Sequence, residues 1–381
     1  MNKTGNVVLW RDCRPSAPCI GGGLRSAQIA GVVNALDIEW MELATRRVKR
    51  PLRDALAGVR LRLTTPGAGH MQARMRRRVG NRLAVFESLA RELGLPGCVL
   101  WENTKDHSLL LFARRHAVPV IALPHNIESL GSPEQIRYAQ SGVQARFCRE
   151  LQLLAQADRV FTISTWDQWL LRLFAVESSH LPYAPPAERL RSLDGVREAR
   201  RQRPSAVGPL IVVGSATYGP SRRGMCELLG VLDGIAACRG IEVVVAGFGT
   251  EAFQGQFSPH IDIRGGVSDE TLLALYAEAR AGIVYQPPAS GALTRIADLL
   301  AADVPVLANT HAARSYRPQP GLTVFDDFDV LAHQLQANAF PARIESSRAA
   351  RGPDAGGASV LQDAIRQHLN DVTGKSAEWV P

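Results

Sequence analysis

The chain has 381 residues, of which 46% are hydrophobic and 21% charged, and a net charge of +8. That length exceeds what one core usually organises and favours two domains, while the composition excludes a disordered, fibrous or collagen-like chain. Its cysteines, Cys13, Cys19, Cys98, Cys148, Cys226 and Cys238, make no CxxC pair and have no histidine at metal-ligand spacing, which argues against zinc or a disulfide framework and for reduced core thiols.

The opening stretch "MNKTGNVVLWRDCR" reaches a charged strand end too early to hold a signal-peptide apolar region, and no apolar run approaches the length of a membrane span. The expected location is the cytoplasm. Apolar runs rich in Val, Ile and Leu then alternate with helical patterns, the signature of parallel strands buried between helices. In the first half the predicted strands are "VVLW", "VRLRL", "GCVLW", "VPVIAL" and "RVFTIS"; in the second they are "PLIVVG", "IEVVVAG", "IDIRG", "AGIVYQ" and "PVLAN". The charged stretch "AERLRSLDGVREARRQRPSAVGP" reads as a linker. This divides the chain into a first domain over 1–185, a linker over 186–207, a second domain over 208–340, and a flexible segment with a closing helix over 341–381. The expected fold class is α/β, with two doubly wound parallel sheets facing each other across a cleft lined by loops at the carboxyl ends of the strands.

Charge is unevenly placed. Residues 46–92 carry thirteen Arg or Lys against three acids, Asp54, Glu87 and Glu92, an excess of ten. No aromatic residue interleaves with these arginines and no nucleic-acid recognition module is readable nearby, so nucleic acid is not an expected partner. An anionic membrane surface met through residues 46–82 is the functional expectation, at about 1 kcal/mol per basic side chain. A solvated arginine-rich helix face is the plain alternative.

Several loops then fall at predicted strand ends. Gly22 and Gly23, in a run of three glycines after "VVLWRD", lead into a helix carrying Arg25, where bare backbone amides suit an anionic or sugar ligand. The spacing is not the dinucleotide fingerprint, and a structural turn explains it equally. His125, Asn126 and Glu128 follow "VPVIAL"; Ser164 follows "RVFTI", where its hydroxyl is placed to cap a helix. After "LIVV" come Gly214, Ser215, Arg222, Arg223 and Gly224, and an arginine there is suited to forking onto phosphate oxygens.

The ordered set "GGGLRS", "PHNIE", "QADRVFTIS", "LPYAPP", "VVGSATYGPSRRGM", "VVVAGFGTE", "GGVSDETLLALYAEARAGIVYQP" and "SGALTRIADLLAADVPVLAN" resembles the GT-B-fold glycosyltransferases of the glycosyl transferases group 1 type. The resemblance implies two Rossmann-like domains and a nucleotide-diphosphate sugar as co-substrate. It implies donor contacts from Gly22, Gly23, Gly214, Ser215, Gly247 and the segment Ser290, Gly291, Ala292 and Leu293. Asp298 stands where the family's ribose-binding glutamate falls, and Ser290 stands where a sugar-binding glutamate is usual. Arg223 takes the position of the family's phosphate-binding lysine, and Arg295 is placed to supply a second cation. His125 would contact the sugar or its transition state.

The implied reaction is sugar transfer with retention, the leaving diphosphate being stabilised by cations and backbone amides. No metal and no further cofactor are expected. The acceptor would be a lipid-linked or surface-polysaccharide glycan, which places the chain peripherally on the inner membrane face. A nucleotide-sugar-binding GT-B protein without transferase activity is the alternative, since Ser290 and a missing phosphate-loop arginine both remove family chemistry. An epimerase or phosphorylase on the same architecture would need a carboxylate set or cofactor lysine that the sequence does not display.

Overall fold

A computed structural model describes residues 9–13, 21–43, 73–130, 142–202, 208–316, 318–337, 340 and 355–377, with positions 56, 59–60 and 62 between them. The described strands form two six-stranded sheets, each parallel throughout.

The first sheet contains β1 (Leu9–Asp12), β2 (Trp40–Glu42), β3 (Cys98–Trp101), β4 (Val120–Ala122), β5 (Arg159–Thr162) and β6 (Ser179–His180), in the spatial order β2-β1-β3-β4-β5-β6. It is covered on both faces, so most of its strand residues are apolar without alternation. One layer holds α2 (Ala73–Leu93), α3 (Ser108–Arg115), α4 (Val143–Leu154) and α5 (Thr165–Leu173), packed on Trp10, Val99, Trp101 and Val120. The opposite layer holds α1 (Gly21–Asn34) and the closing helix α12 (Ala355–Ala377), whose Leu361 and Ile365 meet Leu9, Ile29 and Leu100. The last helix of the chain therefore completes the core of the first domain.

The second sheet contains β7 (Leu210–Val213), β8 (Val243–Ala246), β9 (Ile261–Gly265), β10 (Ala281–Val284), β11 (Val306–Asn309) and β12 (Leu322–Phe325), in the order β12-β11-β10-β7-β8-β9. One face is covered by α6 (Ala187–Arg201), α8 (Asp269–Glu278) and α9 (Thr294–Ala301), the other by α7 (Gly219–Arg239) and α11 (Phe328–Gln336). A four-residue helix, α10 (Thr310–Ala313), follows β11 and is capped by Asn309. In each sheet the strand order reverses at one point, between β1 and β3 in the first and between β7 and β10 in the second. Chain connections leave those two points in opposite directions, which opens a crevice beyond the strand ends.

Two predicted elements differ. In "VRLRL" the described residues Val59, Arg60 and Arg62 are helical rather than extended, and Val59 is exposed, so it brings no buried side chain to a sheet. The edge position belongs to β2, a three-residue strand too short to leave a periodic signal. The stretch read as a linker is the helix α6, and its Leu193 and Val196 enter the core of the second domain. Its apolar residues are few, but they fall three apart on one face, and Arg200 is buried with its guanidinium on the carbonyls of Tyr276, Ala279 and Asp303. Positions 61 and 63 of "VRLRL", the stretches 44–55, 57–58 and 63–72 of the basic region, the linker's 203–207, and 341–354 and 378–381 of the closing segment lie outside the described residues.

Candidate functional site

At the first reversal point, β1 and β3 end side by side, and the backbone amides of Glu102 and Asn103 both donate to Asp12 O at 3.2 Å. Three carboxylates, Asp12, Glu102 and Asp106, converge there and are fully buried. Buried charges persist only when paired and hydrogen-bonded. Arg82 Nη2 donates to Asp12 Oδ1 at 2.7 Å while its Nη1 lies 3.0 Å from Asp106 Oδ2, and Arg78 Nε reaches the same Asp106 oxygen at 3.0 Å. Arg11 donates to Glu102 Oε1, and Ser26 Oγ donates to Glu102 Oε2 at 2.8 Å. Arg82 of the basic region thus turns inward to neutralise acids, while Arg78 reaches Asp106 from the exposed surface.

His125, just past β4, brings Nε2 to 3.4 Å from Glu102 Oε2, an ion-pair distance with the ring off the hydrogen-bond line. Burial pushes Glu102 up, but His125 and Arg11 outweigh it and hold the carboxyl below its usual range. Asp12 goes the other way, to about 6, because burial outweighs Arg82. Arg25, in the first turns of α1, donates to Gln28 Oε1 at 2.6 Å and to Pro182 O at 3.2 Å, and its buried Nε and Nη2 have no hydrogen-bond partner.

The second reversal point is built differently. Gly247, at φ 139°, continues β8 so closely that a Cβ there would stand 2.0 Å from Gly214 O, a position only glycine fills. The amides of Gly214 and Gly247 are spent on Ala246 O and Gly265 O, so these glycines supply close approach rather than free donors. Against Gly214 lies Arg295: a Cβ on that glycine would be 3.2 Å from Arg295 Nη1. Arg295 sits in the first turn of α9, which has no side-chain cap. Its Nε has no partner, Gln286 Oε1 is 3.5 Å from Nη2, and burial lowers its pKa to about 10, which leaves the group charged at neutral pH. The start of α1 faces the start of α9, since a Cβ on Gly21 would be 2.9 Å from Thr294 Oγ1. Two helix N-termini, one from each domain, thus meet beside a cation without a counter-ion.

Other predicted residues are brought together across the domains by direct contact. Ser290 Oγ donates to Ile127 O at 3.0 Å, and Gly291 N donates to Asp167 Oδ2 at 2.8 Å. Gly291, at φ 82°, lies so near the "PHNI" loop that a Cβ would be 2.1 Å from Asn126 Oδ1. Ala292 joins an apolar cluster with Ile163, Tyr183, Ala297 and Leu24, and Leu293 O accepts from Tyr316 OH at 2.5 Å. Asp298 is buried with both oxygens engaged: Tyr183 OH is 3.1 Å from Oδ1 and Arg189 Nε is 2.9 Å from Oδ2. In this arrangement it ties α9 to the first domain and to α6. Its place one turn into a helix was readable, whereas Arg189 and Tyr183 come from more than a hundred residues upstream.

Gly22 and Gly23 lie in the first turn of α1, and Ser215 Oγ shares a hydrogen with Thr217 Oγ1 at 2.6 Å. Arg223 stands half-exposed on α7, with Glu227 Oε1 at 3.8 Å. Ser164 caps α5, accepting from Asp167 N at 3.4 Å. Glu102 was missed, although the same signal that marked His125, a polar residue just past a strand end, was present in "GCVLWEN". No group of His, Cys, Asp and Glu among the described residues has metal-binding geometry.

The two reversed parallel sheets, meeting at their strand ends, define the GT-B fold. Among solved structures, the catalytic domain of starch synthase IV from Arabidopsis thaliana, bound to ADP and acarbose, matches with a TM-score of 0.61 at 12% identity over 96% of this chain and 100% of that one. A UDP-forming trehalose-phosphate synthase from Burkholderia xenovorans matches with a TM-score of 0.58 at 15% identity, over 97% and 99%. An Anabaena protein in complex with UDP and glucose matches with a TM-score of 0.57 at 12% identity, over 98% and 100%. No protein-family model matches the chain, and no curated protein sequence does.

Proposed function

We propose that the chain is a glycosyltransferase that moves a sugar, with retention, from a nucleotide-diphosphate donor to a glycan acceptor, lipid-linked or part of a surface polysaccharide. The observation that carries this reading is Arg295: a partly buried guanidinium with no carboxylate partner among the described residues, in the uncapped first turn of α9, against the glycine at the β7 strand end. An uncompensated buried cation is costly, and an anion at that point removes the cost. Diphosphate is the anion that suits a guanidinium at a helix N-terminus on a reversal point. The same charge is preorganised toward the phosphate that departs as the glycosidic bond breaks.

In this mechanism Gly214 and Gly247 let the donor's phosphates approach the second sheet. Arg295 holds the developing negative charge. His125 faces the sugar, and Glu102 orients its imidazole through the 3.4 Å contact at Nε2. The contacts of Ser290 and Gly291 with the first domain close the crevice over the donor and limit hydrolysis. Asp298 reaches a ribose only when Arg189 and Tyr183 release it. The acceptor then lies on the first domain, beside the basic layer, on the inner membrane face. No helix among the described residues is long and apolar enough to cross a membrane, so contact there would be peripheral.

A second reading, a nucleotide-sugar binder without transfer, is favoured by one observation: Ser290 and Asp298, both expected to face donor, spend their polar atoms on contacts within the protein. Thermal-shift titration with UDP, GDP, ADP, CMP and TDP and their sugars tests both. Ligand at a hundred times its dissociation constant stabilises by about 2.7 kcal/mol. A shift selective for one nucleotide and lost in Arg295→Met supports the donor site; no shift with any of them rejects it. Release of that nucleotide on adding acceptor separates the transferase from the binder.

A further inference from the structure

The helix α5 presents an apolar stripe that the proposed reaction leaves unused. Trp166, Trp169 and Leu173 are 55%, 58% and 63% exposed, and Phe174, at the helix end, is 50% exposed. The spacing of Trp166, Trp169 and Leu173 puts them on one face, opposite the inward pair Asp167 and Leu171. The rings of Trp166 and Trp169 meet edge to face at 6.2 Å, and Phe174, at the helix end, meets Phe147 of α4 at 5.2 Å. Four large apolar side chains exposed in one patch mark an interaction surface rather than scattered surface residues.

We propose that α5 is a membrane-docking helix whose Trp166, Trp169, Leu173 and Phe174 enter the headgroup–acyl boundary of an anionic bilayer. Indole rings combine a large apolar body with an N–H and settle at that boundary, and an amphipathic helix lying in it needs such a face. Charge points to the same occupant. α5 belongs to the layer that also holds α2, and both pack on one side of the first sheet. Arg74 and Arg77 of α2 are exposed, in the part of the sequence with an excess of ten positive charges. The layer that carries the stripe thus also carries exposed cations, which matches anionic headgroups. An edge-to-face tryptophan pair does not offer the two coplanar ring faces that a sugar chain would stack upon.

The position of α5 relates this surface to the crevice. Its first turn is held to the second domain by Asp167 Oδ2 on Gly291 N, and Thr165 Oγ1 lies 3.4 Å from Arg314 O. A bilayer on the stripe therefore lies next to the crevice mouth, where a lipid-linked acceptor would arrive. The inference deepens the peripheral-membrane part of the proposed function and rests on it for that purpose, but docking itself requires no donor.

The test is co-sedimentation of the full chain with vesicles of phosphatidylcholine and phosphatidylglycerol at about two to one, beside vesicles of phosphatidylcholine alone. Expected are binding to the anionic vesicles with a blue shift of tryptophan emission, and at least about a tenfold loss of binding in Trp166→Ser/Trp169→Ser and in Leu173→Glu. Arg74→Glu/Arg77→Glu weakens binding at low salt while leaving the blue shift of the bound fraction. Wild-type partitioning of the tryptophan variant overturns the proposal, as does indifference of the wild type to anionic vesicles. A variant that changes self-association, or binding of a soluble polysaccharide, with vesicle binding intact also overturns it. The nucleotide thermal shift, read on the same variants, stays as in the wild type, so failure of docking and failure of the donor site are separate results.

Discussion

The two strand-order reversals of this molecule are built on the same topology and solved in opposite ways. At the first, three buried carboxylates are met by Arg11, Arg78 and Arg82, so the charges are compensated within the protein. At the second, Arg295 is partly buried with no carboxylate partner among the described residues, against a bare glycine loop. The lesson is energetic. A paired buried cluster loses stability when one member is removed, whereas an unpaired buried charge gains it when neutralised, and only the latter retains free energy to spend on a ligand.

The largest expected effect breaks the first side of that comparison. Arg82→Ala leaves Asp12 and Asp106 facing each other with reduced compensation, and chemical denaturation should show a loss of about 3–5 kcal/mol. At the second reversal no such loss is expected: Arg295→Met should leave the ligand-free protein at least as stable as the wild type and abolish the nucleotide thermal shift. A destabilised Arg295→Met would mean that the guanidinium is compensated without a ligand, and the contrast would fail. Between the two lies the Asp298 strut. Asp298→Ala should cost about 2 kcal/mol with no nucleotide present, because Arg189 and Tyr183 lose a buried acceptor; unchanged stability would return Asp298 to a purely ligand-binding role.

A pH experiment sharpens the comparison further. Burial raises Asp167 to about 6, against the amide of Gly291. A carboxyl with a raised folded pKa contributes stability that is full below its unfolded value, near 4, and is lost as pH rises through about 6. Asp167→Asn keeps an acceptor for Gly291 and removes that loss, so relative to the variant the wild type should fall by about 1–3 kcal/mol between those limits. The smallest effect is local: Ser164→Ala removes the cap of α5 and should cost about 1 kcal/mol without altering donor affinity.

Much of this protein was legible from residue order. Runs such as "IEVVVAG" and "PVLAN" marked strands because sheets covered on both faces require continuous apolar sequence, and the glycines at 214, 247 and 291 fell at strand ends for steric reasons that a sequence carries. Likewise Ser164 was readable as a cap, since capping is a property of neighbours. Helix α6 escaped because its buried face is narrow and its arginines, which look solvated in sequence, lie against carbonyls. Similarly the basic stretch reads as one surface, whereas Arg82 turns inward, Arg78 reaches Asp106 while staying exposed, and Arg74 and Arg77 face outward.

What the sequence by itself determined, then, is the fold class, nine of the twelve described strands and the loops that reach the crevice, since these follow from apolar periodicity and local turn chemistry; the short edge strands β2, β6 and β12 left no such pattern. Tertiary structure alone decided which charges are spent and which remain. Arg189 meets Asp298 across 109 residues and Arg82 meets Asp12 across 70, separations over which no local pattern specifies a partner. Pairing of buried charge is a long-range property of packing, and for that reason the unpaired Arg295 and the uncovered stripe on α5 became visible only once the chain was folded.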